Sequence, residues 1–334
     1  MKAIGYQKSL PISDPSALLD IELPVPVASG QDILVKIEAI SVNPVDTKIR
    51  VRVTPPENQH QVLGWDAVGT VESVGDQVSL FKVGDKVWYA GAIDRSGSNA
   101  EYHLVDQRIV SKAPQSLSDV EAAALPLTSI TAWELLFDRF NLDINSSGTL
   151  LIIGAAGGVG SIMIQLAKKL TKLKVIATAS RAQTKEWVSD LGADLVIDHH
   201  KSLPEQLKAA GLQSVDYVAS LTNTADHLAD IIEAIAPQGK MALIDDPAAL
   251  DIMPFKRKSV SVHWELMFTR SLFQTEDMIA QHQLLSKVAQ MIDEGILKTT
   301  VASDYGTINA SNLIAAHTLL ESGKSKGKIV LAGF

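Results

Sequence analysis

Two textures of apolar and polar residues run along this chain. Up to about residue 125, short β-type runs are broken by Gly, Pro and Asp: Ile33-Leu34-Val35-Lys36-Ile37-Glu38, Ala67-Val68-Gly69-Thr70-Val71-Glu72-Ser73-Val74 and Lys86-Val87-Trp88-Tyr89. Such spacing predicts a compact, partly antiparallel β domain. From about 126, apolar strands alternate with longer helical stretches. Strands are predicted at 150–153, 174–178, 195–197, 215–219, 241–244 and 260–263, with helices between them such as 162–169 and 227–236. The strands are nearly continuous in Val, Ile, Leu and Ala, as strands covered on both faces should be. That alternation predicts an α/β fold with a doubly wound parallel six-stranded sheet. A long helical segment follows 270, then a helix near 315–322 and a last strand at 328–331. With six strands already in the sheet, this tail is assigned back to the first domain. The predicted division is 1–125 with 270–334, and 126–269.

A length of 334 residues fits two domains. With 46% hydrophobic and 20% charged residues the chain reads as an ordinary globular enzyme. Its net charge of -8 argues against a nucleic-acid partner, which needs clustered Lys and Arg. The nearest basic cluster, Lys256-Arg257-Lys258, reads as a solvated loop. There is no cysteine, which excludes disulfides and thiolate catalysis and removes the soft ligands of most structural zinc sites. The N-terminus lacks a signal-peptide apolar run, and the apolar stretches read as shorter than a membrane span. A soluble cytoplasmic protein with no membrane partner is expected.

The run Gly154-Ala155-Ala156-Gly157-Gly158-Val159-Gly160 sits between a buried strand and an amphipathic helix, the context a dinucleotide-binding loop requires. Ala155 takes the place of the usual first glycine. Gly157 lets backbone approach the pyrophosphate, Gly160 lets the helix pack on the sheet, and the helix N-terminus holds the phosphates. Ala155 to Gly160, including Ala156, Gly158 and Val159, are therefore candidate cofactor-binding residues. About 20 positions on, an acidic residue would select NAD. Here the second strand ends in Ala179-Ser180-Arg181. No carboxylate repels a 2′-phosphate, Arg181 supplies a planar donor and Ser180 a hydroxyl. Lys185 and His199 are candidates for the same pocket. The reading favours NADPH.

Further motifs run the length of the chain: Ser41-Val42-Asn43-Pro44-Val45-Asp46-Thr47, Val62-Leu63-Gly64-Trp65-Asp66-Ala67-Val68-Gly69, Phe81-Lys82-Val83-Gly84-Asp85-Lys86-Val87, Ala123-Ala124-Leu125-Pro126-Leu127-Thr128-Ser129 and Gly327-Lys328-Ile329-Val330-Leu331. With the glycine loop, they resemble the medium-chain dehydrogenase/reductase superfamily, in its quinone-oxidoreductase-like branch, and especially the subgroup labelled zinc-type alcohol dehydrogenase-like. The resemblance implies a GroES-like β-rich catalytic domain, a Rossmann nucleotide domain inserted in it, and a homodimer. Zinc-dependent relatives carry a Cys before the Asp of the first motif and a His in a Gly-His-Glu run in the second. Here those positions are Asn43 and Trp65, and residues 90–110 hold no ligand cluster. Three good protein ligands are lacking, so no metal site is expected.

Without a Lewis acid on the substrate oxygen, the feasible hydride acceptors are those whose product anion is already delocalised, a quinone or an enone. The resemblance implies that Asn43 and Thr128 lie near the nicotinamide and its ribose, framed by Ser220, Leu221, Ile244 and Asp245 at strand ends. Asp46 is expected to pair with Arg50 in a structural ion pair. Trp65 and Tyr89 are candidates for an aromatic wall against a flat substrate, which makes Asn43, Asp46, Trp65 and Thr128 the catalytic candidates. His263 is a weaker one, read first as structural. Two other functions stay open: an alcohol or aldehyde dehydrogenase using an unexpected metal, and an NADPH-binding regulatory protein with vestigial catalysis.

Overall fold

A computed structural model describes residues 1–334, and the chain divides into two compact units, Met1–Ile130 with Phe268–Phe334, and Thr131–Met267. The branched runs at the front of the chain form β1 (Lys2–Tyr6), β2 (Leu19–Glu22), β3 (Asp32–Val42), β4 (Gln61–Val62), β5 (Asp66–Val74), β6 (Lys86–Ala90), β7 (Tyr102–Asp106) and β8 (Val110–Lys112). Helix α1 (Pro44–Arg52) starts two residues after β3. Pro44 stands at its first position, where no amide hydrogen is needed, and Asn43 and Asp46 close a capping box. Helices α2 (Asp119–Ala123) and α3 (Pro126–Trp133) follow.

The second unit alternates strand and helix: β9 (Ser147–Ile153), α4 (Gly158–Leu170), β10 (Lys172–Thr178), α5 (Ala182–Asp190), β11 (Leu195–Ile197), α6 (Leu203–Ala209), β12 (Val215–Ser220), α7 (Thr224–Ala234), β13 (Ile235–Leu243) and β14 (Ser261–Trp264). Its six strands are all parallel, in the order β11-β10-β9-β12-β13-β14. Strand order reverses between β9 and β12, so the loops after these two strands diverge and leave a crevice at their carboxyl ends. Both faces are covered: Ile153, Ile176, Val218, Ile231, Met241 and Phe255 share one buried cluster, and the alternate strand residues Leu150, Ile152, Val175 and Ala177 are buried as well. Strand β13 begins at Ile235, earlier than the 241–244 run suggests. A register shift between Val215 and Tyr217 lets its first residues pair before the apolar stretch begins.

The chain returns through α8 (Thr269–Leu272), α9 (Ala280–Asp293), β15 (Val301–Asp304), α10 (Ala310–Glu321) and β16 (Lys328–Ala332) to the first unit. There β16 pairs antiparallel with β3, Ile329 opposite Val42, in a seven-stranded sheet ordered β15-β16-β3-β5-β6-β8 with β7 also on β3. This GroES-like sheet and the Rossmann sheet make a mixed α/β architecture.

One expectation needs correcting. The 21-residue stretch Asp119–Arg139 is long and apolar enough to qualify as a span by length and composition, with mean hydropathy 1.2. Its apolarity goes with burial, since 78% of its 18-residue apolar window lies inside the protein.

Candidate active site

At the carboxyl end of β9 the chain turns on Gly154, whose φ of +78° is left-handed and whose added Cβ would sit 2.9 Å from Thr222 Cγ2. The turn's need for glycine therefore falls on Gly154, and Ala155 is buried without strain after it. The Gly154 N–H donates to Thr178 Oγ1 on β10 at 3.1 Å. Gly157 is the N-cap of α4 with no side-chain cap bond, and no acidic residue occupies the first turn. The N–H groups of Gly158, Val159 and Gly160 thus stand at a positive helix end that suits an anion. The glycines differ in kind. A Cβ at Gly160 would lie 2.4 Å from the Ala155 carbonyl oxygen, whereas at Gly157 it meets only Gly154 O at 3.4 Å. Gly160 is needed by the fold, and Gly157 leaves room for a ligand. Ser161 Oγ donates to Gly157 O at 2.7 Å and accepts from Trp187 Nε1 at 2.8 Å, which ties the loop to α5.

At the end of β10, Ser180 is half-buried and Arg181, the N-cap residue of α5, is exposed, as is Lys185 one turn on. After β11, the His199 ring lies 4.4 Å from His200 and 6.3 Å from His227. Burial holds the His199 imidazole below its ordinary pKa, and the charges of His200, His227 and Arg181 push the same way. Arg181, Lys185 and His199 are thus gathered with two histidines that sequence reasoning passed over. The His199-His200 doublet was the available signal.

The β12 and β13 ends are laced together: Leu221 N donates to Ile153 O at 3.1 Å and Ile244 N to Ser220 O at 3.4 Å. Ser220 and Thr224 hydroxyls bond at 2.7 Å. Asp245 accepts from the Thr224 N–H at 2.8 Å and from the Thr224 hydroxyl, so both its oxygens serve the start of α7. Its carboxylate is engaged by the fold. His263 packs edge-on to Phe140 at 6.3 Å, with burial lowering its pKa.

In the first unit, Asp66 at the start of β5 is fully buried. Its Oδ2 accepts from Ser41 Oγ (2.8 Å), Asn43 Nδ2 (2.8 Å) and Lys328 Nζ (3.1 Å), and its Oδ1 from the Leu127 N–H (2.7 Å). Lys328 Nζ also donates to Asn43 Oδ1 and, at 3.0 Å, to Val42 O. Thr128 turns its hydroxyl back to Leu125 O at 3.1 Å. Asp46 accepts from the Asn43 N–H at 2.7 Å. Burial pushes its carboxyl up to about 7, with the Asp66 charge adding to the rise and the Asn43 and Gly64 N–H groups and Lys328 opposing it.

Two expectations fail here. Asp46 and Arg50 do not pair: Arg50 turns to Leu10 O and to Glu321 on α10. Trp65 and Tyr89 are no aromatic wall, being 0% exposed. Trp65 Nε1 donates to Ala92 O at 3.0 Å and its ring meets Phe268 edge-on at 5.9 Å. The Tyr89 hydroxyl bonds His103 Nδ1 at 2.9 Å, and His103 Nε2 bonds Ser96 O at 2.9 Å. Burial takes His103 down to about 4, so it is neutral, donates from Nε2 and accepts the Tyr89 proton at Nδ1.

The residues do not suit a zinc ion. The Asn43 amide is taken by Lys328 and Asp66, an indole occupies position 65, and no group of three or more His, Cys, Asp or Glu side chains could hold a metal. A nicotinamide dinucleotide does suit the second unit, through the open helix end and the space beside Gly157.

Residues 29–115 match the family described as "Alcohol dehydrogenase GroES-like domain", and residues 191–331 that described as "Zinc-binding dehydrogenase". A Staphylococcus epidermidis protein named zinc-type alcohol dehydrogenase-like is 40% identical over 99% of both chains. A structure from Rhizobium etli CFN 42, assigned provisionally to the zinc-dependent alcohol dehydrogenases, superposes with a TM-score of 0.96 at 55% identity, covering 100% of this chain and 98% of the other. Escherichia coli quinone oxidoreductase complexed with NADPH superposes with a TM-score of 0.84 at 26% identity, covering 99% and 100%.

The contrast between the two glycines is testable. Gly160→Ala should destabilise the fold by roughly 1–3 kcal/mol through overpacking. Gly157→Ala should unfold at the wild-type temperature and yet bind dinucleotide at least about tenfold more weakly. Thermal unfolding with dinucleotide titration separates the two, and undiminished binding by Gly157→Ala would remove the pyrophosphate from this loop.

For Asp46, a folded-state value raised from 3.8 to about 7 means its stabilising contribution is complete below the unfolded value and is lost as pH rises through 7. Urea unfolding of wild type beside Asp46→Asn should show wild type losing ground over that window. Parallel pH profiles would rule the elevated carboxyl out.

Proposed function

The chain belongs to the medium-chain dehydrogenase/reductase superfamily, in its zinc-type alcohol dehydrogenase-like and quinone-oxidoreductase-like branch, and from that premise we propose an NADPH-dependent reductase of quinones or α,β-unsaturated carbonyls working without zinc. It is an oxidoreductase, and a nicotinamide cofactor follows from the family. The observation that carries the finer reading is the Asn43–Lys328–Asp66 cluster, in which the amide at one of the two lost ligand positions is already engaged by an ammonium and a carboxylate.

When bound, the nicotinamide supplies the hydride. The chain's own residues hold and orient. The Gly157–Gly160 backbone takes the pyrophosphate, Arg181 and Ser180 with Lys185 and His199 take the 2′-phosphate, and Asn43 and Thr128 stand beside the nicotinamide ribose. With no metal to polarise a substrate oxygen, the acceptor must spread the incoming charge over its own π system. That requirement favours quinones and enones over simple aldehydes and ketones. The E. coli relative, named a quinone oxidoreductase and solved with NADPH, supports the same reading.

A homodimer is part of this proposal. Strand β14 is an open sheet edge, and Trp264 is 57% and Leu266 48% exposed on and beside it. Sedimentation should return twice the chain mass for wild type and a lighter species for Trp264→Glu; a wild-type monomer rejects the dimer.

The test of the chemistry is a panel of quinones, enones, aldehydes and alcohols, with NADPH and NADH, on protein whose metal content is measured. Turnover should be confined to quinones or enones, persist under chelation, and prefer NADPH. Arg181→Ala should lower affinity for NADPH by about tenfold or more and change that for NADH little. Equal losses would remove Arg181 from the phosphate site, and zinc-dependent alcohol oxidation would overturn the metal-free reading.

A further inference from the structure

Lys328 is buried at 3% exposure, comes from the last strand, and lies 285 residues along the chain from Asn43. An ammonium has three hydrogens and accepts nothing. All three are used here, on Val42 O, Asn43 Oδ1 and Asp66 Oδ2. Asp66, an acceptor, takes a hydrogen from Asn43 Nδ2 at 2.8 Å. The Asn43 carboxamide therefore lies between a group that only donates and one that accepts. Rotating it by half a turn would set NH2 against NH3⁺ and a carbonyl oxygen against a carboxylate. Amide orientations are often ambiguous because their neighbours can play either part. These two cannot, so a single orientation remains. In it one Nδ2 hydrogen goes to Asp66 and the other is left to donate elsewhere.

We propose that Lys328 is a positioning residue, which with Asp66 locks the Asn43 carboxamide so that its second Nδ2 hydrogen is a fixed donor to an oxygen of the bound nicotinamide nucleoside. This rests on the reading of Asn43 as a cofactor contact. Its physical value is preorganisation: a donor already aimed and held in a buried site loses no reorientation when the ligand arrives. Lys328 touches no reacting atom in this account and acts only through Asn43.

Four proteins test it: wild type, Asn43→Ala, Lys328→Met, and the two changes combined. NADPH affinity is read by fluorescence titration, kcat/KM with a quinone acceptor, and folding by thermal unfolding. Each single change should weaken NADPH binding or kcat/KM by roughly 10- to 100-fold in protein that is still folded at the assay temperature. The combined variant should be no worse than the worse single one, because both act through one donor. Should Lys328→Met alone not fold, the charge-neutral pair Asp66→Asn with Lys328→Met is read in its place, alone and with Asn43→Ala. Wild-type binding and turnover in Asn43→Ala overturns the cofactor contact and this inference with it. Impairment in Asn43→Ala alongside normal function in Lys328→Met or its neutral pair overturns the role of Lys328 alone, as do losses that multiply in the combination.

Discussion

A buried carboxylate must find donors, and in the first unit that requirement organises everything around Asp66. Its four hydrogen bonds come from the end of β3 through Ser41, the cap of α1 through Asn43, the first turn of α3 through Leu127, and the last strand through Lys328. Ser41 and Asn43 share one stretch of chain, Leu127 and Lys328 lie far along it, and the last arrives only after the chain has built the second unit. An unpaired carboxylate in such a place would cost several kcal/mol, so leaving any one stretch out is penalised directly. The discontinuous unit is held not only by the β3–β16 pairing but by one charge that is satisfied only when all three stretches are present. The group that closes the fold also fixes Asn43, so the chain has no separate scaffold and site at this point.

The second unit meets a different requirement, a helix start whose backbone N–H groups have no side-chain cap and no acidic neighbour in the first turn. The carboxyl ends of parallel strands and the amino ends of the following helices bring unused N–H groups to one edge of the sheet. Gly154 absorbs the left-handed turn, Gly160 brings the helix against the loop, and Gly157 stays open. Around the next strand end, the cations Arg181 and Lys185 stand near the imidazoles of His199, His200 and His227, on a chain whose net charge is -8. Local field and net charge answer different questions. The first bears on where a phosphate can sit, and the second on which large polyanions are unlikely partners.

What could be read in the sequence was what local chemistry decides. Strands of the second unit were legible because they carry nearly continuous apolar runs ended by turns, and the glycine loop because its neighbours supply the context its spacing needs. Asp46 and Arg50 were expected to pair, yet Arg50 found Glu321 on a distant helix and Asp46 capped its own. Trp65 and Tyr89 looked like candidates for a substrate wall because aromatic side chains carry no mark of which way the strand faces. Ala155 looked like the departure from the glycine pattern, and the strain it seemed to imply falls one residue earlier. Lys328 was quoted as part of a terminal motif and given no role, since its partners at 42, 43 and 66 come together only through the antiparallel pairing of β16 with β3.

At position 43, which reads from sequence as a lost zinc ligand, the amide is held between an ammonium and a carboxylate. A metal stabilises developing negative charge on a bare oxygen by direct coordination, and it can do so for an alkoxide. The Asn43 amide, held directly by the Lys328 ammonium, offers only a hydrogen-bond donor of modest strength, which is proposed above to serve the nucleotide and not the substrate oxygen. On the metal-free reading proposed above, delocalisation must therefore come from the acceptor itself. The side chains that fix Asn43 also serve the fold: any change at position 43 would have to find new partners for Lys328 and Asp66.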